Sequence, residues 1–454
     1  MKIKQLTAKA IIFIALFLII GIVYTQTKTD NIKLNAKTKA GTIQALSTLL
    51  QQDYLFPDVA VKMSALLQTE LKKGAYDSID DPIKFAEKLT SDLRTVNDDK
   101  HLIVIFAPDD AKQLLKNKGK EIPAAKKKEI QRVMQQDNYG FKKVQILPGN
   151  IGYIDFRMFA PSEDSKDTVA SAMRFVSNSD ALIFDLRQNH GGAPTGIQLI
   201  CSYLFGDKPV HLNDLYYRAG NKTQSFWTLK TVDGEKMPNI PVYLLTSQGT
   251  FSGAEEFAYN LKNLKRAIIV GETTGGGAHI VDGMAINKLF IVAMPDGQAI
   301  NPITKTNWEG TGVTPDVAVS ADKALKTAQL LALQKIVQQA TNKDQKKMAQ
   351  WVLDSLQGLK DAPVITPAVL QSFAGTYGDN RHILYDNGAL FYQRGEFPMK
   401  IALSPISEDT FIFSDMSDIQ FSRVRLQFDK NTNGQVAGLT ELYEDGHSEY
   451  SAKN

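Results

Sequence analysis

The sequence predicts an α/β core flanked by a helical N-terminal domain and a small C-terminal antiparallel β domain, and three changes of hydrophobic periodicity carry that reading. Residues 31 to about 95 space their apolar residues as helices do (Ile43, Leu46, Leu49, Leu50, then Val61, Leu66, Leu67, Leu71). From Val144 onward, short apolar strands alternate with helical segments, the order that builds a largely parallel sheet. Beyond Pro363 the pattern changes to alternating apolar residues with turn pairs such as Asn387-Gly388 and Asn433-Gly434, which describes antiparallel hairpins. The domains expected are therefore 31–100 (helical), 101–345 (core) and 364–454 (β), after an N-terminal segment 1–26.

Within the core the expected order is VQILPGNIGYIDF, a helix through Val169–Val176, the strand ALIFDLR, a helix from Thr195 to Phe205, the strand Val242–Leu245, a helix opening near Ser252 and the strand Ala267–Val270. GMAINKLFIVAMPDG reads as a hairpin, and Ala321–Ala340 and Gln345–Leu356 as amphipathic helices. Ligands of parallel sheets gather beyond the carboxyl ends of the strands. DLRQNHGG (Asp185–Gly192) and SQGTFSG (Ser247–Gly253) both follow such ends, so they are expected to meet in space.

Hydrophobic residues make up 43% of the chain and charged residues 22%, an ordinary globular balance. A net charge of +3, from 52 basic and 49 acidic residues, offers no concentrated basic surface and excludes a nucleic-acid partner. Seven lysines between Lys112 and Lys128 lack interleaved aromatics and read as a solvated face or loop. The basic start MKIKQLTAK followed by the apolar run Ala10–Tyr24 has the order of a secretory signal and is shorter than the roughly 20 residues of a spanning helix. Export to the periplasm or cell envelope follows as the expectation, and an uncleaved membrane anchor stays open because no A-x-A site follows. Cys201 is the sole cysteine, which excludes an intramolecular disulfide, and its setting in IQLICSYLF reads as a buried structural thiol.

Ser252 stands where a strand gives way to a helix. Serine is a favoured N-cap there, and Glu255 three residues on completes a capping-box pattern. The same position points the first helical N–H groups at whatever the hydroxyl attacks, which suits a nucleophile. GETTGGGAH lacks the Gly-Lys-Ser/Thr ending of a phosphate loop, and DLRQNHGG lacks dinucleotide spacing, so nucleotide binding is disfavoured. The six histidines (101, 190, 211, 279, 382 and 447) form no close metal-ligand pattern, and neither a metal nor a cofactor is expected.

ALIFDLRQNHGG, TSQGTFSGAEEFAYNLKNLKRAIIVGETTGGGAH and NWEGTGVTPDV together resemble the serine peptidase family of C-terminal processing peptidases, tricorn core protease and interphotoreceptor retinoid-binding protein, over roughly residues 90 to 320. The resemblance implies a ClpP/crotonase-like βα core, with Ser252 as nucleophile and a peptide or unfolded protein as substrate. Processing peptidases place a lysine base in a Gly-Lys-Gly turn, but the matching turn here is Gly275-Gly276-Gly277. That departure resembles the tricorn-like branch and implies His101, in DDKHL, as base and Glu309, in NWEGTGV, as supporting acid. His279 and His190 are rival bases because each adjoins a glycine turn. The same resemblance implies oxyanion donors at the amides of Gly253 and of Gly191 or Gly192, and leaves Asp185 and Arg187 as a bracing ion pair. Residues 102–145 are too short and lysine-rich for the PDZ domain of processing peptidases. Two alternatives stay open: a binder of apolar ligands without catalysis, and an esterase.

Overall fold

A computed structural model describes residues 32–117, 123–396, 399–416 and 419–454. The expected signal or anchor at 1–26 lies outside the described residues. No helix among the described residues is long and apolar enough to cross a membrane.

Three helices open the chain, each with a local reason to start where it does. α1 (Ala36–Asp53) is capped by Asn35, whose side chain accepts the Thr38 N–H at 2.9 Å. α2 (Pro57–Lys72) begins on a proline with Asp58 in its first turn, and α3 (Pro82–Val96) begins on Pro82 with Asp81 accepting two amides. Their apolar stripes (Ile43, Leu46, Leu50, Met63, Leu67, Phe85, Leu89 and Leu93) are buried, whereas Val61, expected on that stripe, lies on the exposed side of α2. They pack on residues of the first core strand and of a hairpin nearly 200 positions later: Leu102, Val104, Phe290, Val292 and Met294. The helical segment thus has no core of its own; it completes one with the sheet it covers.

That sheet contains β1 (Ile103–Phe106), β5 (His211–Tyr217), β6 (Lys222–Trp227), β9 (His279–Ala285) and β10 (Phe290–Ile300). Its path runs β1-β10-β5-β6, and β9 also pairs with β10 as the expected hairpin. The β5–β6 hairpin was not evident in the sequence, because β6 is exposed along nearly all its length and shows no apolar alternation. The lysine-rich segment holds two helices, α4 (Pro108–Lys116) and α5 (Ala124–Gln136). Their buried positions are few (Ala111, Ile130 and Met134), too sparse for a periodicity signal, and α5 carries Lys126–Lys128 as the solvated face.

The second sheet is the expected parallel one. β2 (Phe141–Leu147), β3 (Ile151–Phe156), β4 (Ala181–Asp185), β7 (Val242–Thr246), β8 (Ile268–Gly271) and β11 (Val317–Ala318) lie in the order β11-β8-β7-β4-β3-β2, with only β2 antiparallel to its neighbour. β4 and β7 are buried at every position, which explains their unbroken apolar runs. One face is covered by α6 (Ser162–Phe175), α7 (Pro194–Tyr203) and α8 (Gly253–Asn263), whose residues share a core with Leu182, Phe184, Val242 and Leu244. The other face is covered by α9 (Ala321–Gln339) and α10 (Lys343–Lys360) against Ile183, Tyr243, Leu245 and Val270. Cys201 is free and buried on α7, and burial drives its thiol well above the usual range.

After α11 (Pro367–Phe373), eight strands from β12 (Gly375–Tyr377) to β19 (Ser448–Ala452) follow one another as an antiparallel meander. A bridge between Tyr377 and Lys453 joins the first strand to the last, so the sheet closes on itself. Its interior is aromatic, with Phe373, Phe411 and Tyr377 each in ring contact with Phe428.

Phe257 joins α8 to the core of the parallel sheet, with ring centroids 5.3 Å from Phe159 and 5.6 Å from Phe184 and no solvent exposure. Phe257→Ala is expected to cost about 3–5 kcal/mol in urea unfolding, because the packed rings cannot collapse into the space left.

Candidate active site

Five segments converge where the two sheets meet. DLRQNHGG and SQGTFSG do come together: the Phe251 N–H donates to Asn189 O at 3.1 Å, Thr250 Oγ1 to Leu186 O at 2.7 Å and Ser247 Oγ to Arg187 O at 2.6 Å. Arg187 holds Asp185 through two contacts, Nε to Oδ1 at 2.9 Å and Nη2 to Oδ2 at 2.5 Å, the bracing pair expected. NWEGTGV folds over the glycine-rich turn, with the Gly310 N–H on Gly276 O at 3.1 Å, Trp308 Nε1 on Gly277 O at 2.8 Å and the Val313 N–H on Thr274 Oγ1 at 2.7 Å. DDKH arrives from the helical segment, and Lys100 Nζ donates to Gly275 O at 2.6 Å.

Ser252 is the N-cap residue of α8 and has φ 55° and ψ −123°, a conformation that L residues rarely adopt. Its N–H donates to Glu255 Oε2 at 2.9 Å, one arm of the expected capping box. The Glu255 carboxylate does more than cap. It is fully buried, and it also accepts the Thr274 hydroxyl, the Gly276 N–H at 2.6 Å and the Gly277 N–H at 2.8 Å. Burial pushes this carboxyl up to about 7, against the pull of its four donors. The glycine-rich turn and the serine are thereby fixed to one side chain.

The space around the serine admits only glycine on the DLRQNHGG side. A methyl group at Gly191 would lie 2.5 Å from the Gly253 nitrogen and 2.8 Å from Ser252 Cβ, and Gly191 has φ 103°. The Gly191 amide is committed to Asn189 Oδ1 at 2.9 Å. Gly192 takes the other side of the turn: its nitrogen lies 3.0 Å from where a Gly253 Cβ would be.

His101 is buried, with its ring 4.6 Å from that of Phe251, the residue before the serine. Both ring nitrogens lack a hydrogen-bond partner among the described residues. A Cβ at Gly277 would fall 2.6 Å from His101 Cε1, so the glycine turn leaves room for this ring. Burial drives the imidazole down to about 4; the Asp99 charge opposes this, while His279 and Arg94 add to it.

Glu309 does not reach His101 through any hydrogen bond. Its Oε2 accepts the Ala278 N–H at 2.5 Å and the His279 N–H at 3.2 Å, and lies 3.7 Å from His279 Nδ1. Burial holds the Glu309 carboxyl above its ordinary value. His279 Nδ1 in turn lies 2.8 Å from Asp99 Oδ2. Burial alone would lower this imidazole, but the hydrogen bond and charge of Asp99, with Glu309, bring it above its ordinary value. Asp99 also accepts the Tyr54 hydroxyl at 3.2 Å and the His101 N–H at 3.0 Å. Burial would raise its carboxyl, yet the two histidines hold it below the ordinary range. His190 is exposed, with Nδ1 3.0 Å from Gly249 O.

Asp99 and Tyr54 are the members of this site that sequence reasoning missed. Asp99 left a faint signal, an acid two residues before a histidine in a turn. Tyr54 left none, since only packing of α1 and α2 brings it there. Asp99, His279 and Glu309 hold ligand atoms within 4.8 Å of one another, the one such group among the described residues. In the structure His279 Nδ1 bonds Asp99 Oδ2, and Glu309 Oε2 accepts the amides of Ala278 and His279.

A strained serine at a helix N-terminus, amide-rich turns beside it and a buried neutral histidine define a hydrolase-like site on a βα core. Residues 150–319 match the profile of peptidase family S41, and residues 27–144 match that of the N-terminal domain of peptidase S41 in eukaryotic IRBP. The chain belongs to peptidase family S41. It is 34% identical over 133 residues to the carboxyl-terminal-processing protease of Synechocystis, covering 28% of this chain and 29% of that protein. It is 28% identical over 181 residues to the chloroplastic carboxyl-terminal-processing peptidase 2 of Arabidopsis thaliana, covering 37% and 33%. The matches thus span about a third of these relatives' length. Among solved structures it is similar to the photosystem II D1 C-terminal processing protease, with 16% identity, TM-score 0.41, and coverage of 63% of this chain and 93% of that one.

The Ser252 backbone geometry has a thermodynamic consequence. A non-glycine residue held there stores about 1–3 kcal/mol of strain, part of which glycine releases. Ser252→Gly is expected to unfold about 1 kcal/mol later than Ser252→Ala in a denaturant titration, although both lack the hydroxyl.

Proposed function

We propose that this protein is a serine endopeptidase that hydrolyses peptides or unfolded proteins through an acyl-enzyme, with Ser252 as nucleophile and His101 as base. The observation that carries this reading is a strained N-cap serine whose preceding residue, Phe251, packs its ring on the buried His101 imidazole, which has no hydrogen-bond partner among the described residues. The apolar run Ala10–Tyr24 supports export.

In the first step the Ser252 hydroxyl gives its proton to His101 as Oγ attacks the scissile carbonyl carbon. The carbonyl oxygen becomes an oxyanion between the amides of Gly253 and Gly192, since the Gly191 amide is engaged by Asn189. The first turn of α8 adds its dipole to that stabilisation. His101 then returns the proton to the leaving amine as the carbon–nitrogen bond breaks, which leaves Ser252 acylated. Water attacks the ester, giving a proton to His101 that passes back to Ser252 Oγ as the acid product leaves. The turn Gly275-Gly276-Gly277 carries no lysine to serve as an alternative base.

A fluorophosphonate probe is expected to label the protein at Ser252. Ser252→Ala should abolish both labelling and hydrolysis of fluorescein-labelled unfolded casein; unchanged casein hydrolysis by the variant would sink the assignment.

The acidic limb of the pH dependence follows from His101. A base must be neutral to work, and burial lowers this imidazole to about 4, so the neutral form persists down to about that pH and is lost below it. kcat/KM for a peptide substrate should therefore hold through pH 6 and fall near pH 4. A limb near 6.5, where an unperturbed imidazole titrates, would place the base elsewhere.

A further inference from the structure

The site contains more buried charge than a serine and a histidine need. Asp99 has no side-chain exposure and His279 almost none, while Glu309 is largely buried. His279 Nδ1 faces both carboxylates, at 2.8 Å from Asp99 and 3.7 Å from Glu309. Tyr54 donates its hydroxyl to Asp99 and receives the Asn97 amide at 2.7 Å, and the Phe56 ring packs edge-on to His279 at 5.5 Å. The cluster is thus sealed by the helical segment on one side and by the glycine turn on the other. Among the described residues it bonds residue 101 through the main chain, from the His101 backbone N–H to Asp99 Oδ1 at 3.0 Å.

We propose that the imidazolium formed on His101 during hydrolysis is balanced by the Asp99–His279–Glu309 cluster, in which two carboxylates enclose one imidazolium and leave a single net negative charge, with Asp99 as the positioning residue. This rests on the reading of Ser252 and His101 as nucleophile and base. His101 needs such a counter-charge. Among the described residues its ring has no hydrogen-bond partner and no carboxylate bonds to it directly, and a positive charge in that buried place is costly unless a negative one lies near. Asp99 by itself is neutralised by the His279 it bonds. Glu309 restores the negative charge from the far side of His279, which accounts for an acid in NWEGTGV that makes no hydrogen bond with the base. Two further charges bear on His101. Arg94, reaching Lys100 O at 2.8 Å, opposes the imidazolium, and the Lys100 ammonium is held on Gly275 O at 2.6 Å.

The proposal predicts a charge rescue that a merely structural role would not show. With unfolded casein and a fluorogenic peptide as substrates, Glu309→Gln should lower kcat roughly a hundredfold with KM within about threefold, because the cluster becomes neutral. Adding His279→Gln to it removes the positive charge, returns the net charge to minus one, and should recover about tenfold in kcat over Glu309→Gln alone. Asp99→Asn should lower kcat by about two to four orders of magnitude, and Asp99→Glu should recover part of that loss. A double variant no faster than Glu309→Gln alone, in protein whose circular dichroism matches the wild type, would overturn the proposal, and so would Asp99→Asn with wild-type kcat. The charge cycle does not depend on Asp99→Asn folding. Fluorophosphonate labelling of the wild type at Ser252, recorded in the same series, separates this outcome from failure of the peptidase reading itself.

Discussion

The Glu255 carboxylate is the constraint on which the site depends. It is buried and accepts four donors: the N–H of Ser252, the Thr274 hydroxyl and the N–H groups of Gly276 and Gly277. Those donors come from a helix start and from a turn more than twenty residues later, so one side chain sets the distance between them. The consequence reaches further, because the turn it holds carries Gly277 against His101, and Gly276 and Thr274 against the NWEGTGV loop. Removing such an acceptor would strand several buried donors at once, which costs more than the loss of one hydrogen bond.

Backbone freedom and backbone strain play complementary parts around the serine. Gly191 has a positive φ and lies so close to Ser252 and Gly253 that a methyl group would overlap them. Ser252 has a positive φ without glycine's freedom, and the surrounding hydrogen bonds hold it there. Strain at one residue persists because its neighbours leave no alternative, and the neighbours are small because the strained residue must sit close to their amides.

Two kinds of burial act on the two histidines. His101 is enclosed by Phe251 and the glycine turn with no hydrogen-bond partner among the described residues, so desolvation dominates and the ring stays neutral. His279 is just as enclosed but faces two carboxylates, and partnered burial favours its charged form. The neighbouring imidazoles are therefore shifted in opposite directions, and the position of the acids is what distinguishes His279. The helical segment matters here because it delivers Tyr54, Asp99 and His101 from one continuous stretch of packing.

The architecture was legible wherever a local pattern is forced by physics. Fully buried β4 and β7 must be continuously apolar, α9 must be amphipathic to lie on the sheet, and a serine followed three residues later by glutamate suits a helix start, so these could be read directly from Val242–Thr246, Ala321–Gln339 and Ser252–Glu255. The exposed strand β6 and the lysine-bearing helices α4 and α5 bury too little to leave a period, and they escaped that reading. By itself the sequence determined the family motifs, the serine at its helix start and the absence of a lysine in the glycine turn, because residue identity and spacing along the chain suffice for these. Only the tertiary structure decided that Glu309 faces His279 and not His101, that Asp99 and Tyr54 join them, and that Glu255 ties helix to turn. Those relations link positions tens to hundreds of residues apart, and no local periodicity records which buried charges will share one low-dielectric space.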